Sequence, residues 1–281
     1  MARFHCLTFL TDYGLGDAFV GVCHGVASQI APDLRIVDIT HLIPLADIHR
    51  GAMVLAQATP YFPPAVHVAV VDPGVGTTRR GVAVQAGQSL FVGPDNGLLS
   101  VAIAQAGGAD RAVSLTNAAL WLDTPAVTFH GRDIFMPVAA RLANGMPLDQ
   151  AGQPIEVSTL VTLPPPEYRI AGGAVQAEVV TVDGFGNVQL SMPGADAPGA
   201  GLLPGTSVAL AWAGREVVLP FVRAFGEVPP GEPLCYRDGG DWVAIAVSSG
   251  DAARLFGLRT GIKVTLTPGG HVSQHAPNVT K

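Results

Sequence analysis

Two Gly-rich segments in the first third of the chain combine glycines with charged side chains. The first reads TDYGLGD and carries the carboxylates of Asp12 and Asp17, and the second reads DPGVGTTR and runs from Asp72 to Arg79. Glycines allow the backbone to approach a ligand closely, but neither segment has the spacing of a phosphate-binding loop. Carboxylates repel phosphates, hydrogen-bond ribose hydroxyls and attract cations. The two segments therefore indicate a site for a nucleoside or a cation rather than for a nucleotide.

Each charged residue also has a purely structural interpretation. Asp12 and Asp17 could be a turn residue and a helix cap. Asp72 and Arg79 could form a surface salt bridge, worth roughly 0–1 kcal/mol. His130 lies in the segment TFHGRD at the start of a predicted helix, where it could act as a cap. The residues alone leave these alternatives open.

Several further residues have the chemistry of metal ligands, namely His24, His41, His49, Asp38 and Asp47. Their spacing along the sequence matches no established ligand pattern, and the HExxH motif is absent. The sequence therefore favours no metal. A serine hydrolase is also unsupported, because no serine has a GxSxG setting.

The elements that must position the Gly-rich segments alternate between strand and helix. Apolar runs at residues 4–10, 34–39 and 66–71 predict buried strands, and residues 17–31 and 47–59 predict the helices between them. Strands joined by helices form parallel sheets, and ligands bind beyond the carboxyl ends of such strands. The segments TDYGLGD and DPGVGTTR follow the first and third strands, so they are expected to meet at that edge.

The second half of the chain has a different sequence pattern, in which short strands and turns replace the alternation of strands and helices. We predict an α/β domain with a mostly parallel sheet over residues 1–155, a Pro-rich linker over 156–173, a smaller all-β, barrel-like domain over 174–270 and a flexible tail over 271–281. The linker contains the run PPP, and the short alternating strands beyond it are separated by turns rich in Gly and Asp. The predicted strands of this domain are 176–183, 187–191, 206–212, 215–222, 233–237, 242–247 and 261–267.

Composition limits the class of protein and its partners. The 281-residue chain has a net charge of −6 and no basic run, which argues against a nucleic-acid partner. Only 14% of its residues are charged, which favours buried subunit contacts. Three widely spaced cysteines fit a reducing compartment. No signal peptide and no apolar run of roughly 18 residues is found, so we expect a cytoplasmic protein without a membrane partner.

Five motifs in a fixed order resemble one enzyme family over about residues 5–267. The family is the S-adenosyl-L-methionine (SAM) hydrolases (adenosine-forming), also called SAM hydroxide adenosyltransferases, which are relatives of the fluorinating and chlorinating SAM enzymes. The motifs are TDYGxxD, DPGVGTxR, GPDNGLL, TFHGRDIF and DxFGN. Each motif alone is weak, whereas the five in order are specific.

The resemblance implies an activity and an assembly. The activity is hydrolysis of SAM to adenosine and L-methionine by attack of water at ribose C5′, with SAM as substrate and no cofactor. The assembly is a homotrimer, with active sites between the N-terminal domain of one subunit and the C-terminal domain of a neighbour. An N-terminal α/β domain and a C-terminal barrel-like domain are implied as well.

The resemblance also implies roles for residues of the N-terminal half. Asp12 would bind the ribose hydroxyls, and Asp17 would lie beside the same pocket. Asp72, Arg79 and His130 would be a catalytic triad that holds and activates water. Which of Asp72 and His130 takes the proton is left open.

In the C-terminal half the implied roles concern the two ends of the substrate. Asp183 would bind the methionine amino group, Phe185 and Asn187 would contact the adenine end, and Phe225 would lie near the base. The family usually has Asn-Ser-x-Gly in a later turn that holds the methionine carboxylate, but residues 238–241 read DGGD here. Because aspartates near a carboxylate would repel it, the way that end is bound is left open.

Two alternatives to the hydrolase are carried forward. In the halogenating relatives a tyrosine stands at the position of Asp72, and the Asp/Arg/His set is not retained. All three residues are present here, which favours water over a halide as the nucleophile. The alternatives are a SAM-dependent halogenase and a non-catalytic SAM- or adenosine-binding protein.

Overall fold

The computed structural model describes residues 3–269, and the chain divides between Pro164 and Pro165 into two compact units. This division falls within the predicted linker 156–173. That segment includes a short strand, Arg169–Ala171, at the start of the second unit. The predicted tail 271–281 lies outside the described residues.

The first unit contains a seven-stranded sheet with the order β2-β1-β3-β5-β4-β6-β7. β1, β2, β3 and β5 are mutually parallel, and β6 runs in the same direction because β4 pairs antiparallel with both β5 and β6. β4 and β7 run in the opposite direction. The prediction of an α/β domain with a mostly parallel sheet is confirmed. The strands are Cys6–Thr11 (β1), Arg35–Thr40 (β2), Val66–Val70 (β3), Gly81–Ala86 (β4), Ser89–Pro94 (β5), Arg111–Ser114 (β6) and Gln153–Ile155 (β7).

Helices cover both faces of this sheet. Successive side chains of β1 point to opposite faces, so Phe9 packs with α1 and α4 while Leu10 packs with α2 and α3. Both faces of β1 and β3 are therefore buried, which explains their near-continuous apolar sequences. Asp47 caps α2 by accepting a hydrogen bond from the Arg50 N–H at 2.9 Å. The helices are Phe19–Ile30 (α1), Ile48–Ala58 (α2), Ser100–Gln105 (α3) and Met136–Ala143 (α4).

The second unit is a closed β-barrel. Its strands follow the order β10-β14-β13-β12-β11-β15-β9-β8, and a further β9–β10 pairing closes seven of them into a ring. All pairings are antiparallel except β12–β13, and β8 adds to β9 outside the ring. The predicted barrel-like domain is confirmed. The elements are Arg169–Ala171 (β8), Ala174–Val182 (β9), Val188–Pro193 (β10), Ser207–Trp212 (β11), Arg215–Val222 (β12), Pro233–Arg237 (β13), Trp242–Val247 (β14), Ala252–Phe256 (α5) and Lys263–Pro268 (β15).

The described residues bear on two further expectations, which concern membrane-spanning segments and the state of the cysteines. None of the helices within residues 3–269 is long and apolar enough to cross a membrane. The three cysteines, Cys6, Cys23 and Cys235, are buried free thiols.

Candidate active site

Asp72, Arg79 and His130 form one hydrogen-bonded cluster in the first unit. Arg79 donates from Nε to Oδ1 of Asp72 at 3.1 Å, and its Nη2 donates to Oδ2 of the same carboxylate. The same Nη2 lies 3.1 Å from Nδ1 of His130. The side chains of Asp72 and Arg79 are only 5% and 9% exposed. This pair is therefore a buried, forked ion pair and not the surface salt bridge of the structural interpretation.

The turn after β3 brings Asp72 and Arg79 together. The carbonyl of Asp72 accepts the Val75 N–H at 3.2 Å, and the chain then returns to β4 just after Arg79. The guanidinium lies over the ring of Phe135, 5.3 Å from its centroid. Gly81, at the start of β4, leaves room for that ring, since a Cβ there would lie 2.8 Å from a Phe135 ring carbon. The aromatic ring thus supports the arginine from behind.

The hydrogen bond to Arg79 fixes the protonation state of His130. A guanidinium can only donate, so Nδ1 of His130 must accept and the ring proton must lie on Nε2. Burial and the positive charge of Arg79 lower the pKa of His130, against the opposing effect of the carboxylates of Asp72 and Asp133. His130 is therefore a neutral imidazole that offers an Nε2–H.

A buried carboxylate anchors the loop that carries His130. His130 precedes a π-helical turn, Gly131–Phe135, that leads into α4. Within this turn Asp133 accepts hydrogen bonds from the Ala126 N–H at 2.7 Å and from Nε of Arg132 at 2.5 Å. Burial of Asp133 opposes ionisation, but these hydrogen bonds prevail and lower the pKa of its carboxyl. The ionised Asp133 thus connects Ala126, which precedes His130, with Arg132, which follows it.

An open cleft of about 610 Å³ lies at the carboxyl ends of β1 and β3. Asp72 and His130 line it, whereas Arg79 is not among its lining residues. Tyr13, Phe19 and Phe129 form one wall, in which Phe129 packs edge-to-face with both other rings and the ring centroids are 5.3–6.1 Å apart. The charged pair thus presents its carboxylate, and not its guanidinium, to the cleft.

Asp12 lines the same cleft, but Asp17 does not. Oδ2 of Asp12 accepts the N–H of Ala46 at 2.9 Å, which ties the loop after β1 to the loop before α2. No hydrogen bond to Oδ1 of Asp12 is found among residues 3–269. Asp17 is exposed and does not line the cleft. The predicted substrate-binding role of Asp17 thus has no contact with the cleft to support it.

The wall aromatics and Gly131 were not among the predicted site residues. A Cβ on Gly131 would lie 2.0 Å from the hydroxyl oxygen of Tyr13, so glycine is required for Tyr13 to stand in its place. Burial raises the pKa of Tyr13 well above its ordinary value. The signal was present in the motifs, because Tyr13, Phe129 and Gly131 each stand directly beside a predicted site residue.

In the second unit Asp183 and Asn187 close the turn between β9 and β10. Oδ1 of Asp183 accepts the N–H groups of Phe185 and Asn187, both at 2.9 Å, and Oδ2 accepts the Asn187 amide at 2.8 Å. Phe185 at the tip of the turn is 81% exposed. The turn is thus internally braced and presents an aromatic side chain to its surroundings.

Phe225 and the DGGD turn lie beside Tyr236 in the same unit. The rings of Phe225 and Tyr236 are 5.0 Å apart, and burial together with the charges of Asp238 and Asp183 raises the pKa of Tyr236. Asp238 accepts the N–H groups of Gly240 and Trp242, both at 2.9 Å. Asp183, Phe225 and Asp238 therefore lie on one side of the barrel, around Tyr236.

Asp241, the last residue of the DGGD turn, forms an ion pair with Arg237. Asp238 accepts from backbone N–H groups of its own turn and from the Gln189 amide, so both aspartates have partners within the second unit. The repulsion of a carboxylate ligand inferred from the sequence is reduced accordingly.

The comparison with known families bears on both units. The model of the SAM hydroxide adenosyltransferase N-terminal domain matches residues 7–152, and that of the C-terminal domain of the same family matches residues 177–265. The chain belongs to the SAM hydroxide adenosyltransferase family. The resemblance inferred from the five motifs is confirmed.

Individual relatives agree with this membership. An (R)-S-adenosyl-L-methionine hydrolase of Salinispora tropica is 51% identical over 96% of this chain and 100% of its own length. A protein of the same name from Thermus thermophilus is 40% identical over 92% of this chain and 98% of its own length. A fluorinase of an Actinoplanes species is 26% identical over 93% of this chain and 97% of its own length. Hydrolases of the family are thus considerably closer in sequence than this fluorinase.

A solved structure supports the fold. An uncharacterized conserved protein from Thermotoga maritima superposes with a TM-score of 0.88 at 34% identity, covering 93% of this chain and 99% of that one. Both the α/β unit and the barrel therefore have counterparts in an experimental structure.

Proposed function

We propose that this protein hydrolyses SAM to adenosine and L-methionine by attack of a water molecule on ribose C5′. The observation that carries the proposal is the presence of Asp72 and neutral His130 side by side in the wall of the cleft, with Arg79 behind them. The names of the relatives that are 40–51% identical support the same activity.

The chemistry of the substrate suits such a site. The leaving group departs as neutral methionine, so no general acid is needed. The site must instead hold one water molecule in line with C5′ and opposite the sulfur, and such positioning accounts for orders of magnitude in rate. The Nε2–H of His130 donates to the water oxygen and the carboxylate of Asp72 accepts one of its protons, which together orient a lone pair toward C5′.

Asp72 is the proton acceptor in this proposal. As the O–C5′ bond forms, the attacking water becomes an oxonium, which is far more acidic than a carboxylic acid. A weakly basic carboxylate is therefore sufficient, and its proton passes on to solvent. His130 is unsuited to this step, because its Nδ1 is occupied by Arg79 and its Nε2 already carries a proton.

Arg79 acts as a positioning residue rather than through contact with the reacting atoms. Its two hydrogen bonds hold Asp72 in place, and burial together with the charge of Arg79 lowers the pKa of His130, which favours the neutral imidazole. This proposal gives Arg79 a more indirect part than the expectation of a catalytic triad that holds and activates water.

We propose further roles for the remaining residues on the family's pattern. The free oxygen of Asp12 accepts from a ribose hydroxyl. In the second unit Asp183 faces the methionine amino group, while Phe185, Asn187 and Phe225 contact the adenine end. These residues serve the cleft of a neighbouring subunit in a homotrimer, which is supported by the exposure of Phe185.

We also propose that the trimer acts in the cytoplasm and uses no cofactor. The three free, buried thiols support a reducing compartment. The reaction exchanges water for a thioether and requires no redox or group carrier.

Incubation with SAM in ¹⁸O-labelled water, with and without chloride, tests the proposal by mass spectrometry of the nucleoside. Adenosine labelled at its 5′ oxygen, in a yield that chloride does not change, is the expected product. A 5′-chloro nucleoside would instead establish a halogenase, and SAM recovered intact would indicate a binding protein.

A further inference from the structure

A second cluster of ligand-type side chains lies in the first unit, outside the Asp72 site. It consists of His24 on α1, Asp38 on β2 and His41 directly after β2, and we call it the His24–Asp38–His41 cluster. Nε2 of His24 lies 2.9 Å and Nε2 of His41 lies 3.1 Å from the same oxygen, Oδ1 of Asp38. One donor atom from each residue lies within 4.8 Å of the other two.

His41 is held in the manner of a metal-bound histidine. Its side chain is 2% exposed, and its Nδ1 lies 2.9 Å from the hydroxyl oxygen of Thr11, which is itself buried. Its Nε2 is buried and makes no hydrogen bond in the described chain, because its approach to Asp38 lacks hydrogen-bonding geometry. Metal-binding histidines typically donate from one ring nitrogen to a fixed oxygen and direct the other at the ion.

The distances suit a bound ion. Ligand atoms about 2.0–2.1 Å from a transition metal lie roughly 2.8–3.0 Å apart when they are adjacent in an octahedral shell and roughly 3.3–3.4 Å apart in a tetrahedral shell. The separations of 2.9 and 3.1 Å lie close to the octahedral spacing and a few tenths of an ångström below the tetrahedral one. His24 and Asp38 are 33% and 38% exposed, so their side chains can adjust and water can complete the shell.

We propose that the His24–Asp38–His41 cluster binds one divalent transition-metal ion, with zinc as the best match. Two imidazoles and one carboxylate suit zinc, whereas calcium and magnesium prefer shells of oxygen. The proposal departs from the sequence analysis, which named these three residues as ligand types but favoured no metal because their spacing matches no established pattern; helix α1, strand β2 and the following loop each contribute one of them.

The position of the cluster gives the ion a structural role. The carbonyl of His41 accepts the Gly14 N–H at 2.8 Å, and Thr11, which orients the His41 ring, also accepts the Tyr13 N–H at 3.1 Å. A bound ion would link α1 to β2 beneath the loop that carries Asp12 and Tyr13. It lies outside the lining of the cleft and takes no part in the reaction.

Metal binding by the full-length protein tests the proposal directly. After treatment with a chelator, equilibrium dialysis against zinc with elemental analysis is expected to give one ion per chain. His24→Ala and Asp38→Asn are each expected to weaken binding by about 100-fold or more. His24 and Asp38 are chosen because they are partly exposed, so the variants should retain the circular dichroism of the wild type.

Two control variants distinguish this site from other histidines. His5→Ala removes an exposed histidine outside the cluster, and His271→Ala with His275→Ala removes the pair near the C-terminus; both are expected to bind zinc as the wild type does. Cobalt provides a second readout, with visible absorption bands in the wild type that the cluster variants lack. Zinc binding that is absent in the wild type, unchanged in the cluster variants or lost with the C-terminal pair would overturn the proposal.

Discussion

Replacement of Asp72 by asparagine isolates the step that we propose for its carboxylate. Asparagine preserves the shape of the side chain and one oxygen acceptor for Arg79, but it cannot take a proton from water. The expected effect is a fall in kcat of about 10²–10⁴-fold, the usual contribution of a positioned general base. This corresponds to roughly 3–5 kcal/mol of the activation barrier.

The same substitution has a calculable effect on stability. Asp72 and Arg79 are almost fully buried, so the variant leaves a charged hydrogen-bond donor partly unpaired. The expected loss in the free energy of unfolding is about 2–3 kcal/mol. A typical domain has 5–15 kcal/mol available, so the variant is expected to fold. Thermal unfolding followed by circular dichroism checks this directly.

Single-turnover formation of adenosine, measured beside the affinity for adenosine, separates catalysis from binding. We expect the dissociation constant of adenosine to stay within about threefold, because in the proposed mechanism Asp72 contacts the attacking water and not the nucleoside. Asp33→Asn is the matched control: Asp33 is exposed and lies before β2, at the opposite edge of the sheet from the cleft. A folded Asp72→Asn variant with kcat within threefold of the wild type would refute the role of Asp72 as proton acceptor.

Two further predictions follow from other buried groups. Burial lowers the pKa of His67 from 6.5 to about 4. Between these two pH values the unfolded chain binds a proton that the folded chain does not. About 3 kcal/mol of the free energy of unfolding, present above pH 6.5, is therefore lost as the pH falls through 4. Urea titrations at several pH values should show this loss in the wild type and a smaller one in His67→Gln; an equal loss in both would show that other groups cause it. Gly131→Ala is expected to displace Tyr13, because the new Cβ would lie 2.0 Å from the hydroxyl oxygen of Tyr13. The KM for SAM is expected to rise about tenfold or more. Gly25→Ala is the control, since a Cβ there meets open space, and it is expected to leave KM unchanged.

The elements that could be predicted from sequence are those with a strong apolar pattern. β1 and β3 are buried on both faces and read as continuous apolar runs, and all seven strands of the barrel ring were expected. β7 and β8 were not, because each has only three residues and is largely exposed. β7 also contains Pro154, which a strand tolerates at the edge of a sheet.

The sequence indicated which residues form the candidate site, but not how their side chains are arranged. The motif order pointed to Asp72, Arg79 and His130, although His130 lies 51 residues beyond Arg79 in sequence. That Arg79 stands behind the other two depends on the ring of Phe135, which comes from the π-helical turn, and no local pattern reveals that contact. The inward hydrogen bonds of Asp238 in the DGGD turn were likewise invisible in the sequence.

The buried ion pair also explains why water, and not a halide, suits this cleft. A halide near C5′ must be stripped of water and surrounded by donors, whereas the cleft presents the oxygens of Asp72 at this point. Arg79 offsets the charge of that carboxylate but does not line the cleft, and the arginine that does, Arg132, is paired with Asp133. A water molecule meets both groups favourably, because it can donate to Asp72 and accept from the Nε2–H of His130. The selection of the nucleophile therefore follows from the orientation of the pair: the same two charges, with the guanidinium facing the cleft, would favour an anion.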